Sequence, residues 1–140
     1  MKSRIRLAYA DDASAISRVI VQSLRRSNAQ DYPADVIARV EKGFSAESIL
    51  ALMSLRQVFV ATFDQSVVAT ASLDHDVVRS VFVDPDHQGL GLGRQLMATL
   101  RSVARDANIK TLRVPSSITA EGFYLTLGFV KVRDEFHGAE

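Results

Sequence analysis

The stretch Gln88-Gly89-Leu90-Gly91-Leu92-Gly93-Arg94 carries the clearest chemistry in this 140-residue chain. It follows an apolar run that ends Val81-Phe82-Val83-Asp84-Pro85, and it opens a segment with Leu96, Met97, Leu100, Val103 and Ala104 at helical spacing. Glycine adopts backbone angles that are costly for other residues and lets a ligand come close to the main chain. The first turn of a helix adds about four unpaired N–H groups and roughly half a unit of positive charge. Such a loop is a nest for phosphate, and Arg94 either adds a charged donor there or faces water. Two well-known phosphate loops fit badly. No Lys-Ser or Lys-Thr follows the glycines, and the spacing is G-x-G-x-G in mid-chain rather than G-x-G-x-x-G after the first strand of a βαβ unit.

Two other clusters could do chemistry. Phe123 and Tyr124 lie on a short predicted helix of roughly Ala120 to Leu127 that stops at Gly128; with Leu127 they share a face, so a core role also explains them. Asp74-His75-Asp76 offers carboxylates, but these residues also favour turns through local hydrogen bonds. His75, His87 and His137 are scattered without the spacing of a helical metal pair, and the chain has no cysteine. Thiolate zinc sites, disulfides and covalent thiol catalysis are therefore excluded, no metal is expected, and a cytoplasmic setting is the default.

The elements that must position these groups follow from periodicity. Residues 4–9 alternate as a half-buried strand, and Asp11 or Asp12 is expected to cap a helix whose inner face is Ile16, Val19, Ile20 and Leu24. A second helix after Pro33 turns Val36, Ile37 and Val40 inward and stops at Gly43; a third, capped by Ser45, carries Ile49, Leu50, Leu52, Met53 and Leu55. From Gln57 β-branched and aromatic residues take over. Val58–Phe63, Val67–Leu73 and Val77–Val83, joined by short polar turns, predict an antiparallel meander. After the glycine-led helix come a short strand over 111–114, the small helix, and a last strand from Phe129 towards Arg133. The predicted order is β-α-α-β-β-β-α-β-α-β, an α+β fold with a mixed, mostly antiparallel twisted sheet and helices on both faces.

Size and charge set the limits. One domain over residues 1–140 is expected, since a chain this long buries roughly two-thirds of its unfolded surface. With 17 Lys plus Arg against 16 Asp plus Glu, the formal charge of +1 gives no electrostatic case for nucleic acid or an anionic membrane. No targeting segment and no run of about 18 apolar residues is legible.

The loop [RQ]-x-x-G-x-[GA], met by Gln88 to Gly93 directly after a V-x-V-D-P strand end, resembles the coenzyme A pyrophosphate loop of the GCN5-related N-acetyltransferases. Ser116 to Phe129, with Phe-Tyr and then Gly-Phe on and after a small helix, resembles the later motif of the same family. The resemblance implies direct transfer of an acetyl group from acetyl-CoA to a primary amine of a small molecule or peptide. It assigns cofactor binding to Val81, Phe82, Val83, Gln88, Gly89, Leu90, Gly91, Leu92, Gly93, Arg94, Ser117 and Phe123. Tyr124 would be the general acid that protonates the leaving thiolate. The pantetheine arm would lie as a pseudo-strand along Val81–Val83, with the N–H of Phe82 or Val83 polarising the thioester oxygen.

Two departures accompany the resemblance. Where some relatives carry a catalytic Glu on the fourth strand, this chain has Val77; Asp76 is then a candidate base, while a water relay or no dedicated base stays equally open. A non-catalytic acyl-CoA binding or sensing domain, or a structural interaction module, is the rival reading. Only Asp134 to Glu140 follow the last predicted strand, so that strand is expected to be short or missing, and strand exchange in a homodimer is one way to cover the edge. Tyr32-Pro33 and the residues after them are candidates for acceptor contact.

Overall fold

The computed structural model describes residues 3–134. Four strands, β1 (Ser3–Leu7), β2 (Gln57–Phe63), β3 (Ser66–Asp74) and β4 (Val77–Val83), form one antiparallel sheet in the order β1-β2-β3-β4. The meander lies within a few residues of its predicted bounds. Positive φ at Asp64, Gln65 and His75 explains the two tight turns, because short polar residues tolerate the left-handed region better than apolar ones.

Alternation within β2 assigns its two faces. Val58 and Val60 point to one core, with Ile16, Val19, Ile20 and Leu24 of α1 (Ala13–Arg26), Ile37 of α2 (Ala34–Glu41) and Ile49 of α3 (Ala46–Met53). Phe59 and Ala61 point to the other, with Leu96, Met97, Leu100 and Ala104 of α4 (Leu92–Asp106) and Tyr124 of α5 (Glu121–Thr126). The central strands are thus covered on both sides, which is why β2 and β3 read as nearly continuous apolar runs. The α+β class with helices on both faces is as expected.

Several local expectations change. Asp12 stands at the start of α1, but its carboxylate does not cap that helix; it accepts from the Tyr9 N–H at 2.7 Å and from both terminal nitrogens of Arg6 at 2.7 and 3.1 Å. Ser45 does cap α3, accepting from the Ser48 N–H. Val40 and Leu50 face outward, because the two short helices present only one narrow stripe to the core, and Leu55, expected on the third helix, lies exposed in the turn after α3. The strand expected over 111–114 shrinks to one parallel bridge, Val77 to Arg113, with Val78 N–H donating to Arg113 C=O and Arg113 N–H to Asp76 C=O, each at 2.8 Å. Pro115 follows and has no N–H to extend it. Residues 129–134 make no ladder; Val130 and Val132 are each 83% exposed, so nothing apolar holds them against the sheet. The chain end beyond Asp134, where the last strand would finish, lies outside the described residues. Among the described residues no helix is long and apolar enough to cross a membrane.

Candidate active site

β4 ends the sheet, and past the single bridge at Val77 its outer edge is unpaired among the described residues. Its ladder with β3 is also irregular. Thr70 pairs with Phe82 and Ser72 with Arg79, so Ser80 and Val81 together oppose Ala71. That is a β-bulge, and Ser80 at its centre has φ +55°. A non-glycine residue held there costs about 1–3 kcal/mol and persists where the surroundings impose it. A cleft of about 900 Å³ runs along this strand, lined also by Ser23 of α1, the residues just after it and the segment 114–120.

The glycine loop closes one end of this cleft. After Val83 the Asp84 carboxylate accepts from the Asp86 N–H at 3.1 Å and fixes a single 3-10 turn over Pro85–His87. Gly89 and Gly91 have φ of +80° and +81°, and a Cβ on either would meet nothing within 4 Å. Their requirement is therefore conformational, and the space above them is open. Gly91 is the N-cap of α4 and carries no side chain to satisfy the first-turn N–H groups, which are left for a ligand. Gly93 serves differently: a Cβ there would come within 3.1 Å of the Phe123 ring, so this glycine lets α5 pack on the first turn of α4.

Most of the expected cofactor residues line the one cleft: Val81, Phe82, Val83, Gln88, Gly89, Gly91, Leu92, Gly93, Arg94, Ser117 and Phe123. Leu90 does not; its side chain is 45% exposed away from it. Gln88 donates to Ser27 Oγ at 3.3 Å and Arg94 to Thr126 Oγ1 at 3.4 Å, both weak enough to yield to a stronger acceptor. Ser117 Oγ accepts from the Ala120 N–H at 3.2 Å, so it caps its turn while facing the cleft.

Tyr124 is buried, lines the same cleft and is held edge-on between Phe123 and Phe129 at 5.2 and 5.6 Å between ring centres. Burial pushes its phenol well above the ordinary value, so the hydroxyl keeps its proton at neutral pH. Asp76 fares otherwise as a base. Arg113 grips its carboxylate with two bonds of 3.1 Å and holds its pKa down, and Asp76 does not line the cleft. Asp74 is likewise taken by His75 and Arg79, at 2.9 and 3.3 Å. The Tyr32 side chain does not line the cleft either; its hydroxyl accepts from the Ile118 N–H.

Sequence reasoning missed several residues that the fold brings to the cleft, chiefly Arg56, Arg79, Ser80, Ser23 and Asn28. Ser23 and Asn28 are buried polar residues on and just after α1. A buried polar side chain on an otherwise amphipathic helix is the only signal that could have found Ser23. Arg56 stands between a helix and a strand, with no local pattern to mark it.

The four-stranded antiparallel sheet with helices on both faces, opened at the β4 edge, is the architecture of acyl-CoA-using acetyltransferase domains. The Acetyltransferase (GNAT) domain pattern matches residues 28–139, and the chain belongs to that family. A GCN5-related N-acetyltransferase from Rhodopseudomonas palustris superposes with a TM-score of 0.89 at 24% identity, over 95% of this chain and 84% of that one. The PaiA N-acetyltransferase from Thermoplasma acidophilum, solved with coenzyme A, superposes at 0.81 with 17% identity, over 98% and 94%. Among curated relatives, the L-amino acid N-acyltransferase MnaT of Escherichia coli (strain K12) is 59% identical over 32 residues, and the uncharacterized N-acetyltransferase ycf52 of Porphyra purpurea 40% identical over 58. These matches span 23% and 41% of this chain but only 19% and 33% of the relatives' own lengths.

Proposed function

We propose that the protein is an N-acetyltransferase that moves an acetyl group directly from acetyl-CoA to a primary amine. The observation that carries this reading is the convergence on one cleft of an open glycine cradle, an unpaired strand edge and a buried, protonated tyrosine. Acetyl-CoA supplies an acyl group activated as a thioester. The residues present fit it: the uncapped N–H groups at the start of α4 and Arg94 suit the pyrophosphate, and the free edge of β4 at Val81–Val83 suits the amide-bearing arm. The N–H of Phe82 or Val83 polarises the carbonyl oxygen. As the C–N bond forms and the C–S bond breaks, Tyr124 donates its proton to the departing sulfur.

Among the described residues no Asp or Glu lines the cleft, so in this reading the proton lost by the amine leaves through water rather than through Asp76. The same absence favours the second reading, an acyl-CoA binding domain without turnover. The acceptor in this reading is a small-molecule or peptide amine.

Calorimetric titration of acetyl-CoA into the wild type and into Gly91→Glu tests the cradle. The wild type should bind and the variant should not, since a carboxylate forced into the left-handed position repels the pyrophosphate. Equal binding by both removes the loop from the reading. Amine-dependent thiol release then separates the enzyme from the binding domain.

A further inference from the structure

The cleft has a second cationic end. Arg56, the last residue before β2, reaches the first half of β4, where its Nη1 donates to Ser80 Oγ at 3.4 Å, and no other bond of its guanidinium is recorded among the described residues. Arg79 stands in the same wall; its Nε donates to Asp74 at 3.3 Å, and its terminal nitrogens make no hydrogen bond among the described residues. Along β4, Ser80 precedes Val83 by about 10 Å of strand, so this pair lies well away from the glycine loop and from Arg94.

Arg56 is half-buried and without an ion pair among the described residues, beside a second cation. Burial first, and Arg79 second, bias it against its charge, and Asp74 offsets this only in part. A guanidinium cannot shed its proton in a protein, so the relief open to it is an anion. Among the described residues the cleft supplies none from its own side chains, because no Asp or Glu of theirs lines it. On the α1 side Asn28 is buried at 8% exposure and its amide has no recorded hydrogen bond among the described residues.

We propose that Arg56, with Arg79 beside it, binds a carboxylate carried by the amine acceptor, so that the acceptor is a small amino acid and not a polyamine or an uncharged amine. The planar fork of arginine matches a carboxylate bidentately, and a cationic acceptor would meet two guanidinium groups offset only by Asp74 at Arg79 Nε. This rests on the acetyl-transfer reading, and it names the substrate class of that same cleft.

The test compares free amino acids with their carboxamides and their decarboxylated amines, by acetyl-transfer kinetics and by calorimetric titration into the coenzyme A-bound protein. In the wild type the free acid should exceed its carboxamide by roughly 10-fold or more in kcat/KM and in affinity. Arg56→Gln should abolish that preference through KM, leaving turnover of the carboxamide and the acetyl-CoA Kd within about twofold, which also shows that the variant folds. Arg56→Lys should recover part of it. Carboxamides or diamines used as well as free acids, no amino acid bound or acetylated at all, or a preference untouched by Arg56→Gln and Arg79→Gln overturns the inference while acetyl-CoA still binds. Failure of the wild type to bind acetyl-CoA overturns the acetyl-transfer reading first and the inference with it.

Discussion

The hydroxyl of Tyr32 accepts a hydrogen bond from the backbone N–H of Ile118 at 2.7 Å, joining the loop after α1 to the turn before α5 across 86 residues of sequence. Thr119 repeats the tie beside it, donating to Asp31 at 2.8 Å. The chain after α1 and the turn before α5, which wall the cleft, are thereby fastened to each other, with Tyr32 as the clasp.

Tyr32→Phe removes that clasp while keeping the ring. The loss should be about 0.5–1.5 kcal/mol of stability. Hydrogen exchange over residues 116–120 should speed up more than in the sheet; unchanged exchange there would show that the Thr119–Asp31 bond alone holds the walls.

Gly91→Ala and Gly93→Ala should separate two uses of glycine in one loop. Alanine at 91 is strained by φ +81° and should cost about 1–2 kcal/mol, with acetyl-CoA affinity falling as the cradle shifts. Alanine at 93 has an acceptable backbone but presses on Phe123 at 3.1 Å, so it should cost about 1–3 kcal/mol through packing. Thermal melts with and without acetyl-CoA distinguish the cases: the ligand-induced rise in Tm should shrink for position 91 and survive for position 93.

Tyr124→Phe should lower kcat by about 10²-fold or more with acetyl-CoA affinity kept. An unchanged kcat would remove Tyr124 as the acid. Stability gives a second check. The unfolded phenol ionises near about pH 10, whereas burial keeps the folded one protonated beyond that. The unfolded state therefore loses the proton first, and this contribution is intact below about pH 10 and is lost as pH rises above it. Urea midpoints at pH 9 and 11 should fall less steeply in the Phe variant.

Asp12 should govern acid stability. Its hydrogen bond to Arg6, backed by the Tyr9 N–H, holds its carboxyl below the ordinary value despite burial. The folded state binds the proton less readily than the unfolded one, so the stabilisation is present above about pH 4 and is lost as pH falls through the lower folded value. Asp12→Asn should cost about 1–3 kcal/mol at pH 7 and progressively less towards pH 2, read from urea midpoints.

Much of this was legible in one dimension. The β-branched and aromatic runs at 58–63, 67–73 and 77–83 mark strands, and the period-3.6 stripes of α1 and α4 encode burial directly, because a helix's own repeat decides which side chains share a face. The glycine loop and the Phe123-Tyr124 pair could be read because their chemistry depends on neighbours in the chain. The short pieces could not: the strand expected at 111–114 keeps one bridge, and 129–134 keeps none, since pairing depends on what edge lies opposite. The bulge at Ser80 is invisible in sequence, as any polar residue in an alternating run reads as an outward position. The fates of Asp76, drawn off by Arg113, and of Arg56, turned into the cleft without a carboxylate, were likewise settled only by folding. Local order is written in residue spacing, but the charge balance of a site is a sum over residues far apart in the chain, and only their assembly in space performs it.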